Sequence, residues 1–369
     1  MGPGDVTARA LRLRYSRLDV ALVLFAAPAI VMAVGLATIH ERPIALIVVP
    51  ILVAAVLRRR RPLAVALALV GASIILRIGY VGIGYSTQVD HARNAAERAA
   101  SGLSPYGVLL SSAAAPPEPY IYGPLGLLWW QPGVAVEFVA AIAVMGILVA
   151  CRAWLTLALY AGLPFAVYLT TTGVNDYSPG LLIVTGLLLL RTHRYVGAGV
   201  LALAASVKPY AFAWFIPAFG YGGWAVAAVL GAASAVLWSP LLAWGGLDSF
   251  LRSVRLNADV HPEQANALNV PALRWLALPL ELAGVFVRRW DAMVLLGASV
   301  FCVFLFLDRW ASLGYWLAVL PAAGIAIESR WSAPNGGLLR ADDRATPIAT
   351  RGANVGAIVV QALTSSAHG

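Results

Sequence analysis

Long apolar stretches separated by short polar turns fill most of the chain. A helix that crosses the hydrocarbon core of a bilayer needs about 20 apolar residues, because each residue rises only about 1.5 Å. By that measure we expect an all-α, polytopic membrane protein of about 10–12 membrane helices, some of them broken or re-entrant. The pattern predicts apolar spans at 18–39, 43–57, 62–85, 121–151 with a break, 153–172, 177–190, 195–219 with a break, 223–244, 271–287, 291–307 and 310–327.

The composition supports the same class of protein. Hydrophobic residues make up 60% of the 369 residues and charged residues only 12%, whereas a soluble domain carries about 25% charged residues. The net charge of +9 comes from arginines in short clusters, not from the continuous basic stripe of a nucleic-acid-binding surface. Two cysteines and five scattered histidines predict neither a disulfide framework nor a metal site.

The arginine clusters predict the orientation, since cytoplasmic loops are enriched in Lys and Arg. The N-terminal arginines, Arg58–Arg61, Arg152 and the turn 191–194 are then cytoplasmic. The long loop 86–119 and the pair Asn175–Asp176 fall on the opposite side. Each assignment along the chain agrees with the previous one, so we expect the functional surface on the non-cytoplasmic side.

Residues 195–219 form either one crossing or two half-length helices broken at Lys208–Pro209, because proline disfavours helix at the residue before it. One crossing would place Arg288–Arg289 outside, against the charge rule, whereas a reversal at Lys208 places them inside. We prefer the reversal, which puts Lys208 and the loop 245–270 outside. Lys208 is the only lysine in the chain, and its ordinary explanation would be snorkelling to the interface.

The loop after the third span predicts an amphipathic, interfacial helix that ends near Gly102. Asp90, Asn94 and Glu97 share one face at helical spacing, while alanines fill another. Asp90 stands near the start of this helix, where a carboxylate is either an ordinary N-cap or, beside His91, a general base for a substrate hydroxyl. Both interpretations remain open at this point.

Five short motifs follow one another along the chain: Asp90–His91, Gly-Leu-Ser-Pro-Tyr at 102–106, Tyr-Ile-Tyr-Gly-Pro-Leu at 120–125, Asn-Asp at 175–176 and Val-Lys-Pro at 207–209. Taken singly, tyrosines at a membrane boundary are most often belt residues without a chemical role. Taken in order, the set resembles the polyprenyl-phosphate-mannose-dependent mannosyltransferases of glycosyltransferase family 87, which have the C-type glycosyltransferase fold. The resemblance covers about residues 62–280, and the two spans before residue 62 depart from the family's pattern.

The resemblance implies an enzyme that moves a sugar, most often mannose, from a polyprenyl-phosphate donor to the hydroxyl of a cell-envelope glycolipid or glycan. Asp90 matches the catalytic base, and Lys208 matches the lysine of the family's Lys-Pro element. A fixed cation such as Lys208 would stabilise the negative charge of the departing phosphate. No cofactor is implied, because the lipid-linked sugar is itself a substrate. The other residues that we expect to bind substrate are His91, Arg93, Tyr106, Tyr122, Asn175, Asp176, His261 and Asn266.

The expected organisation has three parts: an N-terminal cytoplasmic arm with an extra membrane hairpin (1–61), the glycosyltransferase-like membrane domain (62–327) and a disordered cytoplasmic tail (328–369). We expect the protein in the cytoplasmic membrane, with both termini in the cytoplasm and the active site outside. The main alternative is a transporter or lipid flippase whose cavity is lined by Glu137, Asn175, Asp176 and Lys208. A non-catalytic membrane subunit is the third.

Overall fold

The computed structural model describes residues 17–112, 115–260, 271–306 and 314–331. Helices account for most of these residues, and the one sheet among them is a two-stranded hairpin. His261, Asn266 and the expected tail beyond Trp331 lie outside the described residues. The all-α expectation is therefore confirmed for the described part of the chain, apart from the hairpin.

The described elements follow one another in short steps along the chain. The α-helices are α1 (Arg17–Thr38), α2 (Val48–Leu57), α3 (Pro62–Gly79), α4 (Gln88–Ala100), α5 (Gly126–Trp129), α6 (Val134–Ala150), α7 (Trp154–Gly162), α8 (Pro164–Leu169), α9 (Tyr177–Thr192), α10 (Arg194–Val207), α11 (Phe215–Trp238), α12 (Gly246–Val260), α13 (Ala277–Ala283), α14 (Trp290–Phe306) and α15 (Tyr315–Trp331). The strands are β1 (Leu109–Ser112) and β2 (Ala115–Pro119), and the 3-10 helices are Pro43–Ile47, Pro209–Trp214, Ser239–Trp244, Pro271–Leu276 and Gly284–Phe286.

Prolines set several of the helix starts. Pro62 and Pro164 occupy the first turns of α3 and α8, where a missing N–H costs nothing. Pro164 also separates α7 from α8, so the span expected at 153–172 is broken. In the same way Pro209 ends α10 at Val207 and begins a 3-10 helix.

Among the residues that the structure describes, three helical stretches are long and apolar enough to cross a membrane: Arg17–Thr38, Pro62–Gly79 and Pro209–Trp244. The third stretch reverses at Gly223, whose φ of 74° and ψ of −169° interrupt α11. A straight helix would place Phe212 and Trp238 about 39 Å apart, yet their ring centroids are 5.8 Å apart. Two antiparallel arms therefore run between the Lys208–Pro209 break and Trp244.

One end of the helix bundle gathers arginine side chains. Arg17 at the start of α1 donates to the carbonyl of Glu328 near the end of α15. Arg330 and Arg289 both pair with Asp291 at the start of α14. The start of α1, the start of α14 and the end of α15 therefore share this end, which we call the arginine end.

Two more arginine turns belong to the arginine end. Arg191 at the end of α9 lies over the ring of Trp290, with its guanidinium carbon 5.6 Å from the ring centroid. The turn Arg58–Arg61 precedes α3, which runs parallel to α1 because Gly79 packs against Leu36 where both helices finish. The start of α3 thus lies level with the start of α1, so Arg17, Arg58–Arg61 and Arg191, which were predicted to share one side, share one end.

The opposite end, which we call the polar end, is covered by a second hydrophobic core. Around α4, the β-hairpin and α5 this core collects Val89, Ala92, Ala95, Tyr106, Leu110, Tyr120, Leu127, Trp130, Val207 and Leu241. The amphipathic helix predicted after the third span is confirmed as α4, and Gly102, with a φ of +78°, follows it. Its alanine face packs against protein in this core, and its expected position on the membrane surface stays a prediction.

Candidate functional site

Lys208 forms a buried ion pair at the polar end. Because Pro209 follows it, Lys208 is held in extended backbone (φ −133°, ψ 122°) beyond the last turn of α10. Its Nζ lies 2.5 Å from Oδ1 of Asp176, and the two side chains are 4% and 0% exposed. The ammonium group therefore does not snorkel to solvent, and its position depends on a partner 32 residues away in sequence.

Three tyrosines surround the ammonium group of Lys208. The ring centroids of Tyr122, Tyr210 and Tyr315 lie 5.1, 5.4 and 6.0 Å from Nζ, within the range of cation–π attraction. Tyr210 also donates its hydroxyl to Oδ1 of Asp176 at 3.1 Å. Residues from four separate segments therefore hold one cation.

A fully bonded carboxylate fixes the turn that carries Asn175 and Asp176. Glu137 in α6 accepts the backbone N–H groups of Tyr177 and Ser178 at 2.8 and 3.0 Å, which are unpaired donors at the start of α9. It also accepts the indole N–H of Trp130 at 2.7 Å. Glu137 therefore acts as the cap of α9, not as an open cavity residue.

Arg77 fixes the same turn from the other side, although it lies inside an apolar helix. This fully buried side chain donates to the carbonyls of Tyr160 and Ala166, which flank the break between α7 and α8. It also donates to the Thr170 hydroxyl at 3.0 Å, just before the turn. An arginine in the middle of a predicted span was the available sequence signal, and the sequence analysis missed it.

The start of α4 docks directly on the turn. The side-chain oxygen of Gln88 accepts the backbone N–H of Asn175 at 3.2 Å, and the N–H of Val89 donates to the carbonyl of Gly173 at 3.2 Å. Asp90 follows immediately in the first turn of α4. The helix that carries the predicted base is therefore bonded to the turn that carries the partner of Lys208.

Asp90 does not cap its helix. The N-cap position belongs to Thr87, which makes no side-chain cap, and the Asp90 carboxylate instead accepts the hydroxyl of Tyr85. This hydrogen bond raises the pKa of Tyr85, so the phenol stays a donor into the alkaline range. The helix-cap interpretation of Asp90 is therefore wrong, and the half-buried carboxylate is held by Tyr85 instead.

His91 is buried on the face of α4 that also presents Gln88, since residues i and i+3 are neighbours on a helix. Its Nδ1 lies 3.4 Å from Oε2 of Glu118 in β2. Tyr122, which follows β2, lies within electrostatic reach of both Glu118 and Asp176. The hairpin thus connects His91 to the surroundings of Lys208.

Several buried polar atoms in this group have no hydrogen-bond partner among the described residues. They are both ring nitrogens of His91, both side-chain atoms of Asn175 and Oδ2 of Asp176. The Tyr122 hydroxyl approaches the Asn175 amide without reaching hydrogen-bond geometry. Since most buried polar groups in folded proteins are bonded, such a concentration points to a place where a polar ligand or water binds.

The remaining expected residues lie elsewhere or play a packing role. Tyr106 is 2% exposed in the second core, and its hydroxyl donates to the carbonyl of Tyr122 at 3.0 Å. Burial raises the pKa of Tyr106, so it is a neutral donor that positions the Tyr122 segment. Arg93 is exposed on α4. The predicted residues brought together are Tyr122, Asn175, Asp176 and Lys208, whereas Asp90 and His91 lie on the helix whose Gln88 bonds Asn175 and have Tyr85 and Glu118 as their own partners.

The sequence analysis missed Gln88, Glu118, Tyr210 and Tyr315. Tyr210 comes two residues after Lys208, and the 3-10 turn places its ring close to the Lys208 ammonium. This contact could have been predicted from the spacing of the two residues. Tyr315, in contrast, lies at the site only because α15 packs against α9 and α14. Within residues 17–112, 115–260, 271–306 and 314–331, no group of three His, Cys, Asp or Glu side chains forms a potential metal site.

No protein family matches the chain, and no curated protein or solved structure matches it either.

Proposed function

We propose that the chain is a polytopic protein of the cytoplasmic membrane, with the arginine end in the cytoplasm and the polar end outside. Large apolar side chains that face outward from the helices support this proposal, among them Leu57, Trp224 and Phe286, each at least 80% exposed. Such surfaces are typical of contact with lipid. The collection of arginine turns at one end agrees with the charge rule for cytoplasmic loops.

We further propose that the polar end transfers a sugar, most often mannose, from a polyprenyl-phosphate donor to an acceptor hydroxyl on a cell-envelope glycolipid or glycan. One observation carries this proposal. The Gln88–Asn175 hydrogen bond joins the helix of Asp90 to the turn whose Asp176 pairs with Lys208, beside unbonded buried polar atoms. A base, a cation and free polar groups are the parts that such a reaction needs.

In the proposed reaction, the acceptor oxygen attacks the anomeric carbon while its proton passes to the carboxylate of Asp90. The bond between the anomeric carbon and the phosphate oxygen breaks, and its electron pair leaves with polyprenyl phosphate, which gains one negative charge. Lys208 has three N–H donors. Asp176 and the tyrosines do not use all of them, so Lys208 can also donate a hydrogen bond to the departing phosphate. Asn175 and Asp176 Oδ2 would bind hydroxyls of the sugar.

A transporter or lipid flippase remains the second candidate, because a buried ion pair at a helix break also marks transport sites. Transport sites, however, lie near the middle of the membrane, whereas Lys208 lies where α10 ends, beneath α4 and the hairpin. This covering layer with its own core favours an enzyme that presents substrates at the membrane surface.

The test uses the full chain in nanodiscs with polyprenyl-phosphate mannose labelled in the sugar and a panel of membrane glycolipid acceptors. We expect transfer by the wild type and a loss of about 10²–10⁴-fold in Asp90→Asn. The matched control is Glu97→Gln, which makes the same change of charge on the exposed face of α4 and should keep full activity.

Two outcomes would overturn the proposal. If Asp90→Asn transfers mannose as fast as the wild type, Asp90 is not the base. If the wild type transfers no sugar to any acceptor but accelerates movement of the lipid between leaflets of a vesicle, the transport function is correct instead.

A further inference from the structure

The turn between α2 and α3 carries four consecutive arginines, Arg58–Arg61, all exposed. Together with Leu57 they line a cavity of about 530 Å³. The proposed reaction at the polar end leaves this cavity without a role.

No carboxylate among the described residues forms an ion pair with any of these four arginines. Other arginines at the same end are compensated: Arg289 and Arg330 share Asp291. Four uncompensated guanidinium groups on adjacent residues repel one another, and an anion between them would lower that repulsion. The charge of the cavity therefore fits a negatively charged ligand.

Apolar side chains flank the cavity on both helices. Leu57 and Val56 in α2 are 80% and 50% exposed, and Leu63 in α3 is 42% exposed. A small soluble anion needs no apolar neighbours, whereas a phospholipid brings acyl chains together with its phosphate. At the arginine end, this turn would stand at the level of the cytoplasmic headgroups, where anionic lipids are found.

We propose that Arg58–Arg61 form a binding site for the headgroup of an anionic phospholipid, with paired guanidiniums on the phosphodiester oxygens. Guanidinium groups bind such oxygens in a two-point geometry that an ammonium group cannot reproduce. This distinguishes the site from a cluster that only sets the membrane orientation, since orientation requires positive charge and lysine supplies it equally well.

The experiment measures lipid binding by native mass spectrometry of the purified full chain in detergent. Diphosphatidylglycerol and phosphatidylcholine are added at equal concentration, with and without excess inorganic phosphate. We expect the wild type to retain diphosphatidylglycerol selectively, and the fourfold Arg→Lys variant of 58–61 to bind it about tenfold more weakly. The control is Arg252→Lys with Arg255→Lys on α12, which should bind as the wild type does.

The lysine variant keeps the charge and hence the orientation, so its thermal unfolding should match that of the wild type. Equal retention of the lipid by wild type and lysine variant would overturn the proposal. No selective retention by the wild type, or full competition by inorganic phosphate, would overturn it as well. None of these outcomes depends on sugar transfer.

Discussion

Two buried carboxylates lie at opposite ends of the helix bundle, and their surroundings differ. At the arginine end, Oε1 of Glu328 accepts the N–H and the hydroxyl of Thr156 at 2.7 and 2.6 Å, and Oε2 accepts the N–H of Leu155 at 3.3 Å. At the polar end, Asp176 bonds Lys208 and Tyr210 through Oδ1, while Oδ2 has no hydrogen-bond partner among the described residues.

This difference distinguishes a carboxylate that only holds the helices together, the scaffold, from one that belongs to the candidate site. Glu328 satisfies the unpaired N–H groups at the start of α7, as Glu137 does for α9, and each thereby joins two helices. Asp176 and its neighbour Asn175 are equally buried but leave polar atoms unbonded, which costs stability unless a ligand takes them up. Burial of charge alone therefore does not mark the functional end of this molecule.

The largest effect is expected where the ion pair is broken. Asp176→Asn leaves the Lys208 ammonium buried without its counter-ion, so the free energy of unfolding should fall by about 3–5 kcal/mol. The double variant Asp176→Asn with Lys208→Met should recover most of that loss of stability, because no buried charge remains. It should nevertheless transfer sugar no faster than Asp176→Asn alone. Thermal unfolding in detergent and the labelled-mannose assay measure both; a double variant with wild-type transfer would refute the role of the pair.

A smaller effect, on stability alone, is expected at the arginine end. Glu328→Ala removes all the acceptors at the start of α7, and the free energy of unfolding should fall by about 1–3 kcal/mol. Transfer per folded molecule should not change, because Glu328 lies at the far end of the bundle from Lys208. A variant that unfolds like the wild type but transfers poorly would contradict the division into scaffold and site.

Asn175→Ala is expected to have opposite effects on stability and binding. The variant keeps the backbone N–H that Gln88 accepts but removes two unbonded polar atoms, so stability should rise by about 1 kcal/mol. The KM for the donor should rise about tenfold, as expected for one lost hydrogen bond to the sugar. If the variant is instead less stable and its KM is unchanged, the amide is structural.

The smallest effect is expected for Tyr85→Phe. Tyr85 is 55% exposed, so losing its hydroxyl should leave the unfolding temperature unchanged. Transfer should fall about threefold, because the phenol donates to the Asp90 carboxylate in a partly solvated place. Since that bond raises the pKa of Tyr85 from its ordinary value, the phenol stays protonated throughout the range below about pH 9, and the ratio of wild-type to variant rates should be constant from neutral pH to about pH 9. A ratio that falls over this range would contradict the assignment.

The sequence predicted much of the helical arrangement because apolar length and proline act locally. Residues 43–57 and 177–192 are helical close to the expected bounds, and the break at Lys208–Pro209 is present. It was also predictable that the arginine turns lie at one end of the bundle. Each turn is a local feature, and the number of helices that precede it determines its side.

Contacts between distant segments could not be predicted in the same way. Asp176 was selected beside Asn175, but its pairing with Lys208 depends on how α9 and α10 pack. The β-hairpin arises from a segment rich in alanine and proline that has no alternating pattern, and it pairs Leu110 with Glu118. Arg77 was read as part of an apolar span because its partners are carbonyls of α7 and α8, about 90 residues later.

The most direct measurement is a structure of the full chain in a nanodisc with a phosphonate analogue of polyprenyl-phosphate mannose, whose sugar cannot leave. The account predicts sugar hydroxyls within hydrogen-bond distance of Asn175 and Oδ2 of Asp176, the phosphonate beside Lys208, and the anomeric carbon facing Asp90. An analogue bound at another place, with the atoms of Asn175 and Asp176 still buried and unbonded, would contradict it.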